Sequence, residues 1–181
     1  MYLEEFPYNI NIKDKKFPDV IPAFIEVSQN SRVKYEWDHE KQSLVLDRVL
    51  HSAVFYPHNY GFIPQTLCDD GDPIDVCVLA PFSIISGAVC ACRPLGVLTM
   101  EDEKGGDDKL LAVPDTKIAP EYAHFKTLDD VPQILLDRIG HFFAHYKDLE
   151  KNKWSKVKEW HGQDQAKSII LASIDAYKQK S

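Results

Sequence analysis

Asp70-Gly71-Asp72-Pro73-Ile74-Asp75 puts three carboxylates within six residues. At that range like charges repel and push one another's pKa values apart unless a cation lies between them. Hard divalent cations such as Mg²⁺ take oxygen ligands of this kind. Gly71 allows a tight backbone path and Pro73 fixes φ, so the loop is stiff before a metal arrives. The competing reading is a solvated acidic turn in an acidic protein.

A second acidic run, Glu101-Asp102-Glu103-Lys104-Gly105-Gly106-Asp107-Asp108-Lys109, lies between two strand-like stretches. Alone it reads as a solvated hairpin loop. Beside the first cluster it becomes a candidate second wall of a multi-metal site, the arrangement that clamps attacking and leaving oxygens in phosphoryl chemistry. Lys34, Arg48, Lys109 and the Tyr146-Lys147 pair supply the cations a phosphate needs, Arg as a planar fork and Lys as a point charge. Each alone is an ordinary surface charge; their combination is informative. The aromatic stretch Phe55-Tyr56-Pro57-His58-Asn59-Tyr60-Gly61-Phe62 reads as a loop at a barrel rim. There Tyr56 and Tyr60 pack with their rings and reach polar partners with their hydroxyls.

Other patterns lead nowhere. His141 and His145 stand four apart on a helix, but position 142 is Phe, so the catalytic Glu of a zinc-protease HExxH is missing; packing or subunit contact suits the pair better. Residues 70–75 lack the alternating ligands and twelfth-position Glu of a calcium loop. An aspartyl-phosphate nucleophile needs a strand-end Asp in a parallel α/β sheet, which this strand order does not supply. The sequence contains no GxGxxG, P-loop or GxSxG.

The 181 residues suit a single domain, residues 1–181, and 44% hydrophobic content is enough for a core. A net charge of -7 argues against a nucleic-acid surface. Cys68, Cys77, Cys90 and Cys92 form no CxxC and lie in or beside apolar stretches, which points to reduced, mostly buried thiols in a cytoplasmic protein. Residues 1–11 carry no basic start or long apolar run, so no signal peptide is expected. No stretch approaches the roughly 20 apolar residues of a membrane span.

The first two-thirds reads as short strands: 23–27, 32–37, 44–50, 74–79, 88–100 and 109–113. Such a series predicts a sandwich or small barrel. Val131, Ile134, Leu135, Ile139, Phe142, Phe143 and Tyr146 then recur at helical spacing, with Asp130 and Gln133 as a start signal and Pro132 in the first turn. A second helix is expected over 164–177, with Ala166, Ile169, Ile170, Ile174 and Tyr177 on one stripe. Strands first and helices last give an α+β, mainly β class.

At this point the chain resembles the family I soluble inorganic pyrophosphatases. The resemblance runs from about Phe24 to Trp154. It rests on Asp70-Gly71-Asp72-Pro73-Ile74-Asp75-Val76, Ile25-Glu26, Lys34-Tyr35-Glu36, Asp47-Arg48, the 55–61 aromatic stretch, Cys92 to Leu98, Asp102-Glu103, Asp107, Lys109 and His145 to Glu150. It implies a five-stranded OB-like Greek-key barrel with two flanking helices. The activity implied is Mg²⁺-dependent hydrolysis of pyrophosphate to two phosphates, with Mn²⁺ or Zn²⁺ as possible substitutes. Carried over, Asp70, Asp75, Asp102 and Asp107 bind metal, and Asp72 is the general base. Lys34, Arg48, Tyr56, Lys109, Tyr146 and Lys147 hold substrate; Glu26, Glu36, Tyr60 and Glu103 support them. Members of this bacterial length form hexamers. An oligonucleotide-binding module and a phosphatase for another ester remain the competing functions; the negative charge argues against the first.

Overall fold

The computed structural model describes residues 6–10 and 16–180. Part of the N-terminal stretch read for a targeting signal, residues 1–5 and 11, lies outside that range. Nine strands and two α-helices follow in order: β1 Ile21–Val27, β2 Val33–Asp38, β3 Ser43–Val49, β4 Asn59–Phe62, β5 Asp75–Val78, β6 Val89–Asp102, β7 Gly105–Gly106, β8 Lys109–Pro114, α1 Gln133–His145, β9 Ser155–His161 and α2 Gln163–Lys180.

Five of the strands close into a ring. β1 pairs antiparallel with β4 (Phe24 opposite Phe62), and β4 antiparallel with β5 (Tyr60 opposite Cys77). β5 runs parallel to β8, β8 antiparallel to β6, and β6 returns to β1 (Cys90 opposite Ala23). Closure removes the free edges that an open sheet would present. This is the OB-like barrel with two flanking helices that the resemblance implied, and the sandwich alternative falls away. β6 pairs with both β1 and β8, and its register with β8 shifts between Pro94 and Gly96, where a proline without an N–H is tolerated. Its outer half also carries β7 and β9. β2 and β3 form a separate hairpin sheet.

Alternation along the strands builds two apolar layers. Leu111 and Val113 join Cys77, Leu98, Ile139, Phe142 and Phe143 on the α1 side. Leu110 and Ala112 join Val76, Val78, Ala166, Ile170 and Ile174 on the α2 side. All six residues of β8 are buried, so its continuous apolar run reflects cover on both faces. Gly61 is required where β4 meets β1: a Cβ there would lie 1.8 Å from the Phe24 carbonyl oxygen.

The helix start differs from expectation. Asp130 does not cap α1. Its carboxylate accepts from the backbone N–H groups of Lys126 (2.8 Å) and Thr127 (2.9 Å), closing the 3-10 turn Leu128–Asp130. Pro132 is the N-cap of α1 rather than part of its first turn. The end of the aromatic stretch is not loop but β4, and β9 was not foreseen. The four thiols are free, with Cys77, Cys90 and Cys92 buried. His141 and His145 do not pack inward: both are exposed, with ring centroids 4.5 Å apart. Among the described residues no helix is long and apolar enough to cross a membrane.

Candidate active site

The strand ends deliver the charged residues to one place. Asp75 opens β5 and Lys109 opens β8, and the parallel register sets them side by side. Lys34 and Arg48 face each other across the β2–β3 ladder. Glu26 comes from β1, Asp102 from the end of β6, and Tyr146 and Lys147 from the turn after α1. Together with Glu36, Tyr60, Asp70, Asp72, Glu103 and Asp107, they line one cavity of about 350 Å³.

The acidic loop is held by its own bonds. Gly71 has φ +91°, in the left-handed region that favours glycine. The Asp72 N–H donates to Asp70 Oδ1 (3.1 Å), and the Cys68 N–H donates to the Asp72 carbonyl (2.8 Å). Thr66 Oγ1 accepts from the Ile74 N–H at 3.0 Å. The Asp72 side chain stays 62% exposed, with Lys104 Nζ 3.3 Å from Oδ2. It is anchored in backbone yet open to water.

Lysines hold the other carboxylates. Lys109, 2% exposed, pairs with both Asp75 and Asp107. Lys147 Nζ lies 2.7 Å from Asp102 Oδ2 and 3.4 Å from Glu103 Oε2. Burial raises the Asp102 pKa, but the Lys147 ion pair outweighs it and holds the carboxyl below its usual range. Burial pushes Asp107 up to about 6 despite Lys109, and it also raises Asp70. Glu26 goes furthest: burial lifts it to about 8, against the hydrogen bond its Oε1 accepts from the Trp37 N–H (2.8 Å). This crowding of carboxylates, with Asp70, Asp107 and Glu26 pushed toward protonation, is an environment that a further cation relieves.

Of the expected residues only Tyr56 stands back from the cavity wall. Its ring is buried against Tyr60 (5.2 Å) and Phe142 (4.7 Å), so it supports the wall instead of lining it. Tyr146 does reach the cavity, stacked on Phe142 at 5.4 Å, with burial pushing its phenol far above the ordinary range. Lys104, Lys153, Tyr8, Trp37 and His39 also line the cavity and were missed. Lys104 was visible inside the acidic run. Lys153 depends on the turn after α1, where its N–H donates to the Glu150 carbonyl (3.3 Å). Tyr8 arrives from the N-terminal segment, with its hydroxyl 3.2 Å from His39 Nε2.

A family model described as inorganic pyrophosphatase matches residues 23–178. The chain belongs to the inorganic pyrophosphatase family. An inorganic pyrophosphatase of Bradyrhizobium diazoefficiens is 50% identical over 167 residues, 92% of this chain and 94% of that protein. One of Aquifex pyrophilus is 49% identical over 164 residues, covering 91% and 93%. The crystal structure of the Thermus thermophilus inorganic pyrophosphatase superposes with a TM-score of 0.90 at 42% identity, covering 98% of this chain and 99% of that one.

Inorganic pyrophosphatases are metal-dependent, and the donor set here fits a hard divalent cation: Asp70, Asp75, Asp102 and Asp107 offer oxygen alone. Among the described residues no three such groups converge as a ready-made cage. The ammonium groups of Lys109 and Lys147 pair with Asp75, Asp107 and Asp102, whose oxygens a metal would share.

Proposed function

We propose that this chain hydrolyses inorganic pyrophosphate to two orthophosphates with Mg²⁺, as one domain spanning residues 1–181. The observation that carries the reading is the convergence of carboxylates and cations, drawn from six of the nine strands and the loops between them, on a single small cavity. Lys34, Arg48, Lys109, Tyr146 and Lys147 bind phosphate oxygens and stabilise charge moving onto the leaving group. Asp72 accepts the proton of the attacking water; its exposed carboxylate and fixed backbone support that role. Asp70, Asp75, Asp102 and Asp107 hold metal; Mg²⁺ there supplies neutralisation of the polyanion and acidification of water. Mn²⁺ or Zn²⁺ can use the same oxygens. Glu26, Glu36, Tyr60 and Glu103 complete the wall, and Tyr56 backs it. No side-chain nucleophile is needed, because water attacks in line with the leaving phosphate.

The enzyme works in the cytoplasm as a homohexamer; the exposed apolar side chains of Ile134 on α1 and Leu149 after it support an interface between subunits. The test is phosphate release from pyrophosphate with Mg²⁺ and with EDTA, on wild type and Asp72→Asn. The expected loss in the variant is about 10²-fold or more. Full turnover in Asp72→Asn removes that residue from the role. A folded wild type that releases no phosphate with any divalent metal overturns the reaction.

A further inference from the structure

Glu150 stands behind the cavity, not in it. Its carboxylate is nearly buried, with Oε1 2.9 Å from Arg48 Nε and Oε2 3.3 Å from Lys153 Nζ. Both cations line the cavity. The Arg48 Nε–H is not aligned for a hydrogen bond to Oε1, so the contact is ionic. An ion pair to a buried carboxylate without good hydrogen bonds is a poor stabilising device, since desolvation of that carboxylate offsets much of the attraction. Its geometry is better suited to orientation. The β2–β3 hairpin has no strand ladder to the barrel, so backbone pairing does not set where Arg48 sits relative to Asp75 or Lys109. Glu150 is a cross-tie. Its own N–H donates to the Lys147 carbonyl (2.8 Å), which ties the carboxylate to the turn that also presents Lys147 and Lys153. Asp47 Oδ2 takes Arg48 Nη1 at 2.5 Å from the hairpin side. Two carboxylates thus grip the guanidinium, leaving its other N–H groups for phosphate.

We infer that Glu150 is a positioning residue that sets Arg48 and Lys153 on the cavity wall for the phosphate groups of the substrate. The inference rests on the proposed pyrophosphate hydrolysis. Glu150→Gln keeps the shape and removes the charge. In the Mg²⁺-loaded enzyme its kcat is expected to fall about 10-fold or more, the scale of a small misplacement of binding groups. The pyrophosphate KM stays within about twofold, because the wall becomes more positive as it becomes less ordered. In an Arg48→Ala background the same change is expected to cost less than about twofold further, as groups acting through one another are non-additive. Full kcat in Glu150→Gln, or losses that multiply in the double variant, overturn the inference. If Glu150→Gln does not fold, Glu150→Asp keeps the charge and shortens its reach; the same kcat loss is expected, and a normal kcat refutes the role. A wild type without phosphate release overturns the underlying reaction, and this inference with it; an active wild type with an active variant overturns the inference alone.

Discussion

His58 gives the fold a measurable weakness toward acid. It lies just before β4, 8% exposed, and neither ring nitrogen has a hydrogen-bond partner. Burial, with Arg138 nearby, lowers its pKa from 6.5 to about 4. The folded state therefore keeps the ring neutral where the unfolded chain has already taken a proton. Between pH 6.5 and 4 the unfolded state binds more protons, so stability falls as pH falls through that window and is fully present above it. At pH 5 the linkage amounts to about 2 kcal/mol relative to pH 8, from the ratio of the two protonation terms. His58→Leu removes the titration while keeping a side chain of similar volume, and it leaves no unpaired ring nitrogen. Urea unfolding at pH 8 and pH 5, at fixed protein concentration, compares the two proteins. Wild type should lose about 2 kcal/mol more than the variant between those pH values, because every other titrating group is common to both. Equal losses would refute the argument.

Lys109→Met should leave Asp75 and Asp107 facing each other without their shared ammonium. In EDTA the expected destabilisation is about 3 kcal/mol, or a Tm lower by about 6–12 °C for a chain of this size; a Tm within a degree or two of wild type would show that the pair contributes nothing. Gly61→Ala should drive a methyl into the Phe24 carbonyl and cost more than about 4 kcal/mol, so that circular dichroism finds little folded protein at 37 °C.

The sequence was most readable where chemistry is linear. Asp70, Asp72 and Asp75 are close in the chain and close in space, and the alternating or continuous apolar runs of β1, β2, β3, β5, β6 and β8 are local patterns. β4 was hidden because all four of its residues are buried and include two poor strand formers, Gly61 for the close β1 contact and Asn59 for side-chain bonds to Gln29, Phe82 and Ile84. β9 was hidden by its exposed, charged composition between two helical stretches; it exists because β6 offers it an edge. Asp130 carried a convincing start signal, yet its carboxylate closes the turn before α1. Tyr56 has the residue type of a ligand and the environment of a core ring. Lys153 and Tyr8 reach the site through tertiary placement alone, which no local pattern encodes.

Because the ring shuts where Ile21–Phe24 meets Val89–Cys92, strands about 70 residues apart must find each other against loop-closure entropy. β5 and β8 add a parallel pairing across the whole β6 excursion. Topologies of this kind fold slowly for their size. The cavity draws on segments from Tyr8 to Lys153, so it has no partial form. During synthesis, nearly the entire polypeptide must leave the ribosome before the first substrate molecule can be turned over. Until then the acidic loops lack the Tyr146-Lys147 turn and Lys153 that close the wall around them.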